Sequence, residues 1–392
     1  MRNPRTIALV LGTFVLIGVG FVFFRGPKPI IEIKAETIAD IGPFPLVNTY
    51  VTSIFVVLVL LFLGYRATRK LSLIPSGLQN AAEAVVEALY TVCINTAGEK
   101  HGRRFFPVVM TIFAFIWIAN WMALLPFFNA IGTIEKVDAE EFHKEAVIFK
   151  DAGGIGLIMP NQKEIEFEVD PATCAAFDDE ITEAKAAGED TSGLKQEKGE
   201  CVEHAQEAAI LEALHEEEGI DAPNIEAAYA QLDEAGKQVG ILIPFFRSMN
   251  TDINSPLSIA IMAMIFIEFW GISTLGLFRY FGKFFNISSP IGFVVGLLEF
   301  IAEIARLISF TFRLFGNMLA GEILLLVMTF LSPFLVALPF YALEVFVGLI
   351  QAFVFAMLTL VFGVLAVAAH EGHDDDHEEA HNDAQPALQA AH

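Results

Sequence analysis

The sequence predicts an all-α integral membrane protein with several transmembrane helices, two of them long and inclined, plus a mixed α/β acidic insert outside the cytoplasm. Three observations predict it. Hydrophobic residues make up 55% of the 392, with 37 Phe and a mean hydropathy of +0.56. The apolar residues fall in long runs, and ~20 in a row are enough to cross the ~30 Å hydrocarbon core of a bilayer. The net charge of −23 is unevenly spread. Residues 131–240 hold 28 Asp and Glu against 8 Lys and Arg, and residues 371–392 hold 7 acids and no Lys or Arg. Two acidic appendages are thus attached to a mildly basic membrane body, and no basic stripe suits nucleic acid. Three cysteines exclude a disulfide-rich scaffold and a Cys-rich zinc site. Nothing in the pattern calls for a cofactor.

The apolar elements follow in order. Thr6–Phe24 follows the basic start Met1-Arg2-Asn3-Pro4-Arg5. It reads as a signal anchor or a cleaved signal peptide; Gly18 and Gly20 offer only a weak cleavage pattern, which favours a retained helix. Further spans are expected over Pro45–Tyr65, Phe105–Phe128 and Leu257–Phe278. Two longer stretches come last, Ser289–Leu331 and Pro339–Ala369. As helices they measure roughly 64 and 46 Å. The first is too long to cross upright, so it must tilt steeply, bend, or lie partly across the bilayer.

Basic residues set the orientation. Arg66, Arg69, Lys70, Lys100, Arg103 and Arg104 place the loop 66–104 in the cytoplasm, along with the chain start. The insert 129–245 falls on the far side, and Arg279 and Lys283 bring the chain back, so the tail is cytoplasmic. Gly77–Ala97 is amphipathic at helical spacing and reads as a helix on the cytoplasmic membrane surface. The tail carries His370, His373, His377 and His381 among acids, a solvated segment more than a metal site.

Within the insert, Lys163–Asp170 alternates with period two, a strand signal. Ala/Glu-rich stretches near 178–188, 201–218 and 224–237 read as helices. Cys174 and Cys201 face an oxidising compartment in this topology, which predicts a disulfide between them.

The informative stretch is Ile304–Glu322, IARLISFTFRLFGNMLAGE. Arg313 stands 24 residues from Ser289 and 18 from Leu331, or roughly 36 and 27 Å along a helix. Its side chain cannot snorkel that far, and a charge at that depth costs about 2.5–3.5 kcal/mol. Arg stays protonated in proteins, so this is a permanent cation. Asn317 shares its face, and Gly316, Ala320 and Gly321 allow a second helix to approach closely. Glu322 is nine residues beyond Arg313, on the opposite face at ~100° per residue. Glu344 and Gln351 lie nearly on one face of the last helix. Glu322 and Glu344 read as proton carriers between water and the Arg313 groove, or as a structural acid pair. Glu299 is ~21 Å before Arg313 and ~40° off its face, where it can line a second aqueous path with Ser309. Glu303 and Arg306 serve equally well as headgroup anchors. Asn120, Asp252, Asn254 and Glu268 complete the near-membrane polar set as candidate access-path residues.

RLFGNMLAGE, followed by QAFVFAMLTLVF and preceded by NWMALLP and the DIN before Leu257, resembles the a subunit of F-type ATP synthases over residues 45–128 and 245–370. The resemblance implies a stator channel beside a rotating ring of c subunits. It assigns Arg313 the cation facing the ring carboxylate, Asn317 and Gln351 its polar neighbours, Glu322 a proton-path acid, and Glu299 and Ser309 the cytoplasmic access side. It implies as partners the c ring, b-type peripheral stalk subunits, the remaining synthase subunits and the lipid of a bacterial inner membrane. Glu344 departs from the pattern, standing where many family members have His, and Ala123 stands where some have an acid. The insert and first apolar segment are not ordinary family features.

The chain is thereby divided into 1–44 (first apolar segment and link), 45–128 (first membrane region), 129–245 (insert), 246–370 (channel core) and 371–392 (tail). No GxxxxGK[ST] phosphate loop occurs, so the chain reads as a non-catalytic subunit. A free-standing transporter would need its own substrate site, with internal repeats or broken helices, and no clear repeat exists. A membrane-anchored interaction protein leaves Arg313, Glu322 and Gln351 unexplained.

Overall fold

The computed structural model describes residues 35–41, 44–135, 145–150, 154–158, 162–167, 173–187, 190–277, 290–331 and 337–368, together with Gly12 and Tyr280. The apolar segment Thr6–Phe24, apart from Gly12, and the tail 371–392 lie outside the described residues.

A small antiparallel hairpin, β1 (Thr37–Ile41) and β2 (Phe44–Val47), leads into helix α1 (Asn48–Thr68). Then comes α2 (Leu78–Met122), whose 45 residues are two helices joined at Gly98. Gly98 has φ 72°, a left-handed conformation that a side chain disfavours, and it turns the amphipathic first part back against the span. Tyr90 meets Phe106 edge-on across this turn, with ring centroids 5.2 Å apart.

The insert follows. Strands β3 (Ile131–Glu135), β4 (Glu145–Lys150), β5 (Ile155–Leu157), β6 (Glu164–Glu166) and β7 (Lys237–Pro244) form one antiparallel sheet in the order β5-β3-β7-β4-β6. Between β6 and β7 come helices α3 (Ala175–Ala187), α4 (Ser192–Glu218) and α5 (Ile225–Glu234). Of the alternating segment at 163–170, the described residues 163–167 contain β6, Glu164–Glu166. The helix expected near 224–237 stops at Glu234, because Lys237 already belongs to the central strand β7. Ile148, Ile165, Ile210, Leu214, Leu232 and Val239 close a separate core between sheet and helices. Glu218, with a side chain 9% exposed, ties the end of α4 to the sheet by ion pairs with Lys163 (3.0 Å) and Lys237. Cys174 and Cys201 are disulfide-bonded and hold the start of α3 to α4.

After a 3-10 turn at Met249–Thr251 the chain enters α6 (Asn254–Leu275), α7 (Pro290–Leu331) and α8 (Ala337–Ala368). Helices α1, α2, α6 and α8 are long and apolar enough to cross a membrane. The 42-residue α7 carries Glu299, Glu303, Arg306, Arg313 and Glu322. This all-α body packs through small residues: Ala260, Ala263, Ala352 and Ala356 are fully buried, which lets backbones come close where lipid offers no hydrophobic drive. Phe105 stacks on Trp270 at 4.1 Å, worth about 0.5–1.5 kcal/mol beyond area burial.

Helix α7 has two unlike sides. Phe310, Leu314 and Met318, four residues apart, are 3% exposed or less and join the common core with Phe355 and Leu360 of α8. Ile301, Ile304, Ile308 and Phe312 are about half exposed.

Candidate functional site

The polar residues of α7 divide between those two sides. Ser309, Arg313 and Asn317 recur every four residues beside the exposed apolar face. Arg313 is half-buried and donates from Nη2 to Ser309 Oγ at 3.3 Å. Among the described residues no carboxylate pairs with it. Arg306, seven residues earlier, behaves differently. It bonds Glu303 Oε2 at 2.6 Å and lies 4.4 Å over the Phe362 ring of α8. One arginine is neutralised within the chain, and the other presents its charge beside an apolar surface.

Asn317 donates to Gln351 Oε1 at 2.6 Å, linking α7 to α8 one turn from Arg313. Gln351 is itself 4% exposed. On the other side of α7, Glu322 and Glu344 line a cavity of about 150 Å³, together with Asn129, Ser248 and Tyr341. Asn129 Nδ2 donates to Glu322 Oε1 at 2.6 Å. Glu344 is 5% exposed and its carboxyl lies against Gly321, where any Cβ would collide with it. Glu322 and Glu344 therefore line one chamber of mixed polar and apolar wall, which has room for several waters at ~30 Å³ each. Arg313 lies outside its lining.

The candidate access residues are tied across elements. Asn120 is 1% exposed, accepts from Asn250 Nδ2 at 2.7 Å and donates to Gly348 O at 3.1 Å. Asp252 accepts from Thr49 Oγ1 at 3.2 Å and from the Asn254 backbone and side-chain amides at 3.2 and 3.1 Å. These bonds brace α1, α2 and α8 around the start of α6. Glu268, half-buried on α6, lies near the Tyr280 hydroxyl, as do Glu303 and Arg306. Glu299 is half-buried and Ser309 exposed on the long first part of α7.

Sequence reasoning missed Asn129, Asn250 and Tyr341. Each is polar at the edge of an apolar run, a weak signal that gains meaning only when another element comes against it. It also read Gly321 as a general small residue, whereas the Glu344 carboxyl occupies the space in front of it.

The family model described as ATP synthase A chain matches residues 50–137 and 236–363, just over half of the chain. The chain belongs to the ATP synthase A chain family. The match takes in α7, most of α8, and Arg313, Asn317, Glu322, Glu344 and Gln351, and most of the insert lies between its two blocks. Among curated members, ATP synthase subunit a of Campylobacter curvus is 38% identical over 130 residues, covering 33% of this chain and 58% of that protein. Those of Campylobacter concisus and Campylobacter jejuni are 36% and 34% identical over 132 residues, again covering 58% of their lengths. The chain thus spans less than two thirds of the family relatives it matches.

Proposed function

We propose that the chain is the a-type stator of an F-type ATP synthase, moving protons through two offset half-channels where it meets a rotating c ring. The observation that carries this reading is Arg313: a fixed cation beside an exposed apolar helix face, with no carboxylate partner among the described residues. A buried-depth cation requires a counter-charge, and a ring helix carrying one acid supplies it while covering the apolar face.

The mechanism follows from charge. A proton arriving from the insert side passes the chamber of Glu322 and Glu344 and neutralises a ring carboxylate. A neutral site tolerates lipid, so the ring turns. When the site returns to Arg313, the guanidinium favours its ionised form, and the proton leaves along a path that Glu299 and Ser309 line toward the cytoplasm. Arg313, placed between chamber and path, repels protons and prevents a direct leak. Each charge crossing 100 mV supplies about 2.3 kcal/mol.

In this reading Asn317 and Gln351 hold the Arg313 neighbourhood rigid, and Asn120, Asp252, Asn254 and Glu268 support the access routes. The chain contributes no nucleotide chemistry. Its partners are the c ring, b-type stalk subunits, the remaining synthase subunits and the lipid of a bacterial inner membrane. The chain start, loop 66–104 and tail are cytoplasmic, and the insert is outside. The divisions at 44, 128, 245 and 370 mark the functional parts.

The test is purification of the tagged chain from its own membranes, followed by flux measurement. The reading expects a c ring and a soluble ATPase head to co-purify, and slowed proton flux in a Glu322→Gln/Glu344→Gln variant. Recovery of the chain alone, or unchanged flux in the double variant, would overturn it.

A further inference from the structure

We propose that Asn129 is a positioning residue for proton passage, and that the acidic insert acts on the channel through it. The proposal rests on the stator reading above. Asn129 stands between α2 and β3, where the membrane body passes into the insert. Its Nδ2 fixes Glu322 Oε1 at 2.6 Å. Asn129, Glu322 and Glu344 all line the chamber, and Asn129 Oδ1, Glu322 Oε2 and Glu344 Oε1 are buried with no hydrogen-bond partner. Glu322 Oε1 on α7 accepts from the amide, and the other titratable residues lining the chamber are Glu344 and Tyr341 on α8; the α2–β3 loop supplies only apolar wall besides Asn129.

The backbone shows why the insert controls this contact. Asn129 has φ 55° and is the one non-glycine residue at positive φ among the described residues. Asn tolerates that conformation better than most residues. The insert sheet holds it there. Asn129 N donates to Phe246 O at 2.9 Å, Phe245 N donates to Ile131 O at 3.0 Å, and the β3–β7 register runs on from Gly132↔Pro244 to Glu135↔Ile241. The β3–β7 strand pair of the insert therefore ends on the residue that holds the Glu322 carboxyl beside the chamber.

The experiment uses the complete synthase in vesicles, with ATP synthesis driven by an acid step on the insert side and ATP hydrolysis as the control for assembly. Asn129→Gly keeps the positive φ and removes the donor. Asn129→Asp keeps the shape and replaces the donor by a carboxyl that can donate only when protonated. Asn129→Gly is expected to synthesise roughly tenfold more slowly at every insert-side pH, the order expected for losing a hydrogen bond to a charged group. Asn129→Asp is expected to be slower still near neutrality and to recover as the insert side is acidified through the ordinary Asp range near ~4. A purely structural role would not produce that pH-dependent recovery. Wild-type synthesis in Asn129→Gly, or an Asn129→Asp defect that does not change with pH, overturns the proposal. Glu322→Gln run alongside separates the two failures: if it slows synthesis while Asn129→Gly does not, only this inference fails, and if it too is silent, the stator reading of the chamber fails with it.

Discussion

Gly321→Ala tests the closest approach in the site. A Cβ at position 321 falls on the whole Glu344 carboxyl; even Oε2, the farthest of the three atoms, lies 2.5 Å away, where ordinary contact begins at 3.4 Å. The carboxyl must retreat by about 1 Å, or α7 and α8 must separate by as much. Neither is cheap, because Glu344 is 5% exposed and Met318 and Leu325 lie buried on the same helix. Overpacking of this kind costs about 1–3 kcal/mol. If the strain falls on the proton path, that is roughly 5- to 150-fold in rate. The assay is ATP-driven acidification of vesicles carrying the assembled complex, normalised to ATP hydrolysis. Shortening the obstructing side chain should relieve the strain, so Gly321→Ala/Glu344→Asp should pump better than Gly321→Ala alone. Normal pumping in the single variant, or a double variant no better than the single, would refute the reasoning.

Two further predictions concern the insert. Cys174 and Cys201 close a loop of 27 residues, for which loop-closure entropy gives about 3.5 kcal/mol; Cys174→Ser/Cys201→Ser should melt the insert at lower temperature, and only the parent chain should change gel mobility on reduction. The Lys237 ammonium, followed by Lys163, holds the Glu218 carboxyl below its ordinary value of 4.5 against the opposing effect of burial. A depressed acid stabilises the fold above its unfolded value and loses that contribution as pH falls through the folded one. Hydrogen-exchange protection factors in β6, β7 and the end of α4, which are relative to the intrinsic rate at each pH, should therefore fall as pH drops below 4.5, and Glu218→Gln should abolish that dependence; an unchanged profile would remove Glu218 from the stability of the insert.

The membrane body was largely legible in the sequence because its signals are local. A run of apolar residues fixes a helix regardless of neighbours, and the helical period alone puts Arg313 and Glu322 on opposite sides. The stretch Ser289–Leu331 corresponds to α7 within a residue. The insert was less legible. Its central strand, KQVGILIP, is a short apolar run without alternation, and such a run is ambiguous between strand and helix. It becomes a strand because β3 and β4 pair on both its edges. The partners of the site residues were not legible at all. Gly321 facing Glu344, Asn129 reaching Glu322 and Asn250 reaching Asn120 depend on the relative placement of residues 23 to 193 positions apart, and periodicity contains no such information.

The most direct test of the central claim is ATP-driven proton pumping by a purified complex bearing Arg313→Ala. The account predicts a complex that assembles and hydrolyses ATP but does not acidify vesicles, because the cation that releases the ring proton and blocks the leak is gone. Acidification at the parental rate by a fully assembled Arg313→Ala complex would contradict it.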